Sequence, residues 1–315
     1  MYNVYINNMP ILITSYIDPD LDGVGCSVAY AEFLTKNGRP AVAGIIGRAQ
    51  VEAEYVLDRF KIEPLLEILD TKDYSEIILV DASHLSFFEG KLVPEKVIEI
   101  IDHRKVNEVD KFPKAKIQIE LVGSAATLVA EKFIQNKIDI SKNSAILLCS
   151  AIISNTLNFH SNNCTERDVS AFKDMNKIAQ LSDDYWRELF LAKSDLTGTK
   201  LDDRIKSDYA TFAIANHNFC IAQIEIIGAR DLINNREEEI VRGLEKLGQE
   251  LKTDEVFANV LDLESHEKFT VSSNLETQKL LEEVFGYKFN GHIACDDKKI
   301  MRKQIVSMLK DYLEK

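Results

Sequence analysis

The sequence predicts an α/β protein in two domains: an N-terminal parallel sheet covered by helices on both faces, and a smaller C-terminal α/β domain. Three observations predict it. The chain has 315 residues, more than one small core accommodates. Short β-rich runs alternate with helical patterns over residues 1–192. Those runs are apolar without interruption, as expected of strands buried on both faces by crossover helices.

Taken in order, Ile11-Leu12-Ile13-Thr14 reads as the first strand, with an amphipathic helix from about Gly25 to Asn37 behind it. Ile77 to Val80 and Val97 to Ile101 read as two further buried strands. A helix is expected to open after Ser124, a good N-cap residue, and an almost wholly apolar one to run from Ala145 to Ser154. The N-terminal amides of the helix after Ser124 could bind a phosphate, although helix packing also explains its small residues. The polar stretch 193–200 carries turn formers and reads as a linker to a second domain, 201–315. There, strand patterns at Phe212–Ile214 and Phe219–Ile226 precede helical ones at Asn235–Leu251 and Asn274–Phe285. A strand-like Gln304-Ile305-Val306 lies near the end.

Composition narrows the function. The formal net charge is −13 and no long basic run is present, so nucleic acid beyond short oligonucleotides and anionic membranes are disfavoured as partners. No apolar run has transmembrane length. The residues from Met1 to Pro10 carry no signal-peptide pattern, and the five cysteines are scattered, so a reducing cytoplasm is the expected location.

The chemistry gathers where strands end, the usual place for ligands in open α/β sheets. The first strand runs into Asp18-Pro19-Asp20-Leu21-Asp22-Gly23. Carboxylates at alternate positions repel one another, and hard divalent cations relieve that repulsion. A solvated acidic turn is the plain alternative. An EF-hand loop fits the opening but fails at its twelfth position, Ala29. The second strand ends in Asp81, followed by His84, which reads as a surface residue. The third ends in Asp102-His103-Arg104, where Asp102 could orient the His103 ring. Together, Asp20, Asp22, Asp81 and His103 could form a dinuclear site with Asp81 bridging, and this oxygen-rich set suits Mn²⁺ or Mg²⁺, one or two ions per chain.

These residues, with Gly123-Ser124-Ala125-Ala126-Thr127, Ser150 to Thr156 and Arg302-Lys303-Gln304-Ile305-Val306, resemble the motifs of the DHH phosphoesterases over nearly the whole chain. Within that superfamily the chain is most similar to the manganese-dependent family II inorganic pyrophosphatases. The resemblance implies a metal-bearing DHH domain, a substrate-covering domain of the DHH-associated type, and a small phosphorylated substrate. Asp81, His103 and Arg104 would then be catalytic. Asp18, Asp20, Asp22, Asp81, His103 and Asn155 would surround the metal, and Arg104, Arg302 and Lys303 would hold substrate. Tyr16 stands where the family has its first histidine, and Asp18 resembles the extra acid of RecJ-type nucleases. Asn155 replaces the fourth-motif aspartate, Arg104 replaces a histidine as in prune-type exopolyphosphatases, and Ala210 aligns with a lysine. The family's Arg-Lys pair falls on Met301 and Arg302 or, one residue later, on Arg302 and Lys303.

The expected activity is therefore hydrolysis of pyrophosphate, short polyphosphate or a small phosphate ester. A catalytically impaired phosphate-binding sensor or structural relative is the second reading. An oligonucleotide phosphodiesterase is the third, for which Asn290-Gly291-His292 offers only a faint echo of the nuclease-type second domain. A homodimer is compatible with an exposed edge strand.

Overall fold

The computed structural model describes residues 9–198, 200–253, 255–296 and 302–314. The chain divides into two compact units, Met1–Ala192 and Lys193–Lys315.

The first unit runs β1 (Ile11–Thr14), α1 (Leu21–Lys36), β2 (Ala41–Ile46), α2 (Val51–Phe60), β3 (Leu66–Ile68), β4 (Ile77–Val80), β5 (Val97–Asp102), β6 (Lys116–Ile119), α3 (Ala125–Asn136), α4 (Lys142–Asn155) and α5 (Glu166–Ala179), with α6 (Tyr185–Lys193) reaching the boundary. Its six strands are all parallel, in the order β3-β2-β1-β4-β5-β6. The chain builds outward from β1 to one side, then returns to β4 and builds to the other. The order reverses between β1 and β4, and a crevice opens at the carboxyl ends of strands where this happens.

The apolar runs behave as their composition requires. Every residue of β1 and β4 is buried. Leu12, Ile77, Leu79, Val97 and Ile100 share one cluster with Phe88 and Phe112, which short 3₁₀ turns bring in. Helices α1, α3, α4 and α5 pack together, and α1 also packs on the strands. Gly25 permits the close approach of α1 to α4, since a Cβ there would lie 3.1 Å from the Leu147 carbonyl.

Helix α1 begins at Leu21, four residues earlier than the sequence pattern suggested. Asp20 caps the helix ahead of Gly23 and Gly25, its Oδ1 accepting from the amides of Asp22 and Gly23. Ser124 caps α3 and Ser141 caps α4.

The second unit contains α7 (Lys200–Ser207), β7 (Tyr209–Ile214), β8 (His217–Ile226), α8 (Ala229–Leu251), β9 (Glu255–Asp262), β10 (Lys268–Val271), α9 (Leu275–Phe285), β11 (Phe289–Asn290), β12 (Ile293–Cys295) and α10 (Arg302–Leu313). Its mixed sheet has the order β11-β12-β10-β9-β8-β7, with β8 and β9 parallel and the other pairs antiparallel. One core cluster joins the sheet to α7 and α8, another to α9 and α10. Two sequence expectations are corrected here. Helix α8 starts at Ala229, not Asn235, because Asp262 caps it and a break at Arg236 interrupts its pattern. Gln304-Ile305-Val306 is helical, not a strand. Ile305 and Leu309, one turn apart, are both fully buried, and a three-residue apolar run cannot tell the two periods apart.

Candidate metal centre

The loops after β1, β4 and β5 deliver Asp22, Asp81 and His103 to one place, each offering a ligand atom within 4.8 Å of the others. Asp22 and Asp81 are fully buried. Asp81 turns out of β4 with a left-handed φ of +50°, a conformation aspartate tolerates better than most residues, and its amide donates to the Ile101 carbonyl at 2.8 Å.

Asp22 is held by the start of α3. Its Oδ2 accepts from the Ala125 amide at 2.8 Å and its Oδ1 from the Ala126 amide at 2.8 Å. Cys26 Sγ and Asn155 Nδ2 donate to the same carboxylate, at 3.3 and 2.6 Å. The free amides at a helix N-terminus favour an anion, and here that anion belongs to the protein. The expectation that these amides could meet a phosphate is corrected accordingly. Burial and the nearby Asp81 still push the Asp22 carboxyl up.

The orientation of His103 says what the cluster requires. Its Nδ1 lies 3.0 Å from the Val122 carbonyl, which can only accept, so Nδ1 carries the proton. Nε2 then faces Asp81 Oδ1 at 3.4 Å and Asp22 Oδ2 at 4.0 Å. An imidazole nitrogen and two carboxylates converge without a donor of their own, a set satisfied by a shared cation or proton. Burial would lower the His103 pKa, but Asp81 and Asp22 outweigh it and raise it to about 10. The donor set of two carboxylates and one imidazole fits a hard or borderline divalent ion. Asp102, expected to orient the ring, does not: it accepts from the His103 amide at 2.7 Å and from the Ser83 hydroxyl. The ring is held by the backbone of Val122.

Arg104 folds back into the cluster. Its Nη1 donates to the Asp81 carbonyl at 2.6 Å, to Asp81 Oδ1 at 2.7 Å and to Asp102 Oδ1 at 2.8 Å, while Nη2 reaches Asp81 Oδ2 at 3.2 Å. The guanidinium also lies 5.5 Å from the centre of the Tyr16 ring. Burial alone would raise the Asp81 pKa, but Arg104 and His103 prevail and hold it below the usual carboxylate range.

Other sequence candidates stand around this centre. Asp20 caps α1 through Oδ1, and burial, with Asp81, Asp22 and Glu52 nearby, pushes its carboxyl up. The Tyr16 hydroxyl accepts from the Asp20 amide at 3.2 Å, and burial keeps its phenol protonated. Asp18 is exposed and turned to the loop after β2, where its Oδ1 accepts from the Arg48 amide at 2.7 Å. Asn155 presents its amide nitrogen to Asp22. In the second unit, Arg302 opens α10 and pairs with Asp208 at 2.8 Å. Lys303 is the next residue of that helix, and Met301 lies outside the described residues.

The segment Cys164-Thr165-Glu166-Arg167-Asp168 also resembles the family pattern, but the sequence alone assigns Asp168 no role. Its fully buried carboxylate accepts from the Gly123 amide at 2.9 Å, the Thr127 hydroxyl at 2.6 Å and the Thr165 amide at 2.7 Å. It thereby fixes the segment that supplies both the Val122 carbonyl and the amides of α3. The Thr165–Asp168 capping box was visible in the sequence, but the contact to Gly123, across 45 positions, was not.

A doubly wound sheet with acidic and imidazole side chains at its switch point defines an α/β protein with a candidate metal centre, and comparison with known proteins gives its family. Residues 10–152 match the model for the DHH family N-terminal domain, and residues 187–312 match that of the DHHA2 domain. The chain belongs to the DHH family of phosphoesterases. It is 30% identical over 307 residues to a protein of Bacillus licheniformis named a probable manganese-dependent inorganic pyrophosphatase, covering 96% of this chain and 99% of that one. It is 28% identical to the manganese-dependent inorganic pyrophosphatase of Bacillus subtilis, covering 96% and 98%. A crystal structure from Methanococcus jannaschii, provisionally described as a family II inorganic pyrophosphatase, superposes with a TM-score of 0.74 at 26% identity, covering 97% of this chain and all of that one. Among the described residues no helix is long and apolar enough to cross a membrane.

Proposed function

We propose that this protein hydrolyses phosphoanhydrides, with pyrophosphate first among its substrates and short polyphosphate or a small phosphate ester behind it, using Mn²⁺ or Mg²⁺ held by Asp22, Asp81 and His103. The observation that carries the reading is the aim of His103 Nε2 between two buried carboxylates while Nδ1 is tied to the Val122 carbonyl. The names of the full-length relatives support the substrate and the metal.

A divalent ion at this position supplies Lewis acidity to phosphoryl oxygens and to water. The rest falls to the chain. The α3 amides orient Asp22 and favour its ionised form against burial. Asp81 carries its charge, fully buried, just past the carboxyl end of β4. Arg104, whose guanidinium cannot deprotonate, holds negative charge without serving as a proton donor. Asp20, beside these groups, completes the acidic lining. Domain roles are part of the proposal: residues 1–192 carry the metal chemistry, 193–200 connect, and 201–315 contribute phosphate binding through Arg302 and Lys303. We place the protein in the cytoplasm and leave a homodimer as a compatible assembly.

The test is phosphate release from pyrophosphate, tripolyphosphate and a small phosphate ester, with Mn²⁺ or Mg²⁺, for the native chain and Asp81→Ala. Ion-dependent release that disappears in the variant is the expected result. Folded, ion-loaded native protein that turns over none of them would leave a phosphate-binding sensor as the better account, the reading to which the Asn155 amide on Asp22 would then belong.

A further inference from the structure

Arg104 pairs with both carboxylate oxygens of Asp81, the residue that would have to bridge a dinuclear site. A carboxylate that bridges two metals gives one oxygen to each, with the ions about 3.5–4 Å apart. In this chain Asp81 Oδ1 lies 3.4 Å from His103 Nε2, and both carboxylate oxygens accept hydrogen bonds from the guanidinium. The same Nη1 reaches Asp102 Oδ1 and the Asp81 carbonyl, so these acceptors are engaged as well. Other oxygen atoms nearby also accept hydrogen bonds. Asp20 Oδ1 takes two backbone amides, the Tyr16 hydroxyl takes a third, and Asp18 points to Arg48. Among the described residues only Asp22, Asp81 and His103 form a group able to surround an ion.

We infer that Arg104 is a built-in second cation, and that the protein binds a single divalent ion per chain at Asp22, Asp81 and His103. Asp81 bridges that ion and the guanidinium. The inference rests on the proposed ion site, and it concerns stoichiometry, so its test reads ion binding and not turnover. One divalent ion and Arg104 together bring three positive charges to the four carboxylates of Asp20, Asp22, Asp81 and Asp102, which leaves the cluster nearly neutral before substrate arrives. A second divalent ion would have to displace a guanidinium that is half enclosed, paired with two fully buried carboxylates and packed against an aromatic ring.

The experiment is metal analysis of the full chain, stripped with a chelator, loaded with Mn²⁺ and freed of excess ion. Electron paramagnetic resonance on the same sample separates isolated from exchange-coupled Mn²⁺. The expected result is one Mn²⁺ per chain with the hyperfine signal of an isolated ion. Arg104→Lys keeps the charge and is expected to stay at one. Arg104→Met removes it, frees Asp81 and Asp102, and is expected to rise to two ions with a coupled signal. Two tightly held, coupled ions in the native chain overturn the inference, as does a folded Arg104→Met that stays at one ion with native affinity. If Arg104→Met does not fold, the native stoichiometry decides alone. A native chain that binds no Mn²⁺ overturns both this inference and the proposed function. One isolated ion without pyrophosphate turnover supports this inference and counts against the hydrolytic reading.

Discussion

Replacing Asp168 with alanine removes a buried carboxylate that joins the start of α5 to the segment before α3. Four groups lose their acceptor: the amides of Gly123 and Thr165 and the hydroxyls of Thr127 and Thr165. A buried donor left unsatisfied costs roughly 1–3 kcal/mol, and part of that is recovered by local relaxation. The expected loss is about 4 kcal/mol, a large share of a domain's usual margin of roughly 5–15 kcal/mol. Urea unfolding is the assay. Trp186 is the only tryptophan and lies in the first unit, so its fluorescence follows that unit's transition. The midpoint should fall while the slope stays constant. Asp168→Asn keeps one acceptor oxygen and should fall between. Because the same segment positions Asp22 and His103, Mn²⁺ affinity measured by calorimetry should drop in parallel, by roughly 10–100-fold as for other residues that support metal ligands. A stability loss under about 1 kcal/mol with unchanged ion affinity would refute the claim that Asp168 anchors this segment.

Three further predictions test other parts of the structure. Asn155→Asp places a carboxylate 2.6 Å from Asp22 where an amide now donates; ion-free thermal stability should fall while Mn²⁺ affinity rises roughly tenfold, about 1.4 kcal/mol, both read on one preparation. Gly47→Ala should destabilise the first unit by about 1–3 kcal/mol in the same urea assay, since Gly47 has φ +85° and a Cβ there would lie 2.1 Å from Asp18 Oδ1. Burial would raise the Asp262 pKa, but the amides of Ser265, Ala229, Glu264 and Gly228 together hold it below the ordinary value. A depressed carboxylate stabilises above its unfolded pKa and loses that stability as pH falls through the folded one, so hydrogen-exchange protection at the start of α8 should fade on acidification, and Asp262→Ala should abolish the pH dependence at a cost of about 2 kcal/mol.

The parts of the fold that the sequence made legible were local. β1, β4 and β5 are fully or almost fully buried, so their apolar runs stand out, and the residues that leave them at their carboxyl ends are the ones the site uses. β3 and β6 are short and largely exposed, so they carry no such run and went unread, as did β2, which is only half buried at its start. Asp20, Asp22, Asp81 and His103 could be named because each follows a strand. What each one does could not be read. The cap that Asp20 makes, the α3 amides on Asp22 and the fold-back of Arg104 onto Asp81 depend on where separate loops meet. Arg104, two residues past β5, pairs with its neighbour Asp102 and also grips Asp81, and the pairing of β4 with β5 brings the two together.

The five residues from Val122 to Ala126 carry the support of two ligands at once: a carbonyl holds the His103 ring and two amides hold Asp22. These ligands reach the site from opposite sides of the strand-order reversal, yet they lean on a single rail. A displacement of that rail carries both in the same direction, so their mutual spacing survives while their distance to Asp81 changes. Damage to the support is therefore correlated: two substitutions along it should weaken ion binding by little more than the worse of them alone, whereas one on the rail combined with one beside Asp81 should approach the sum.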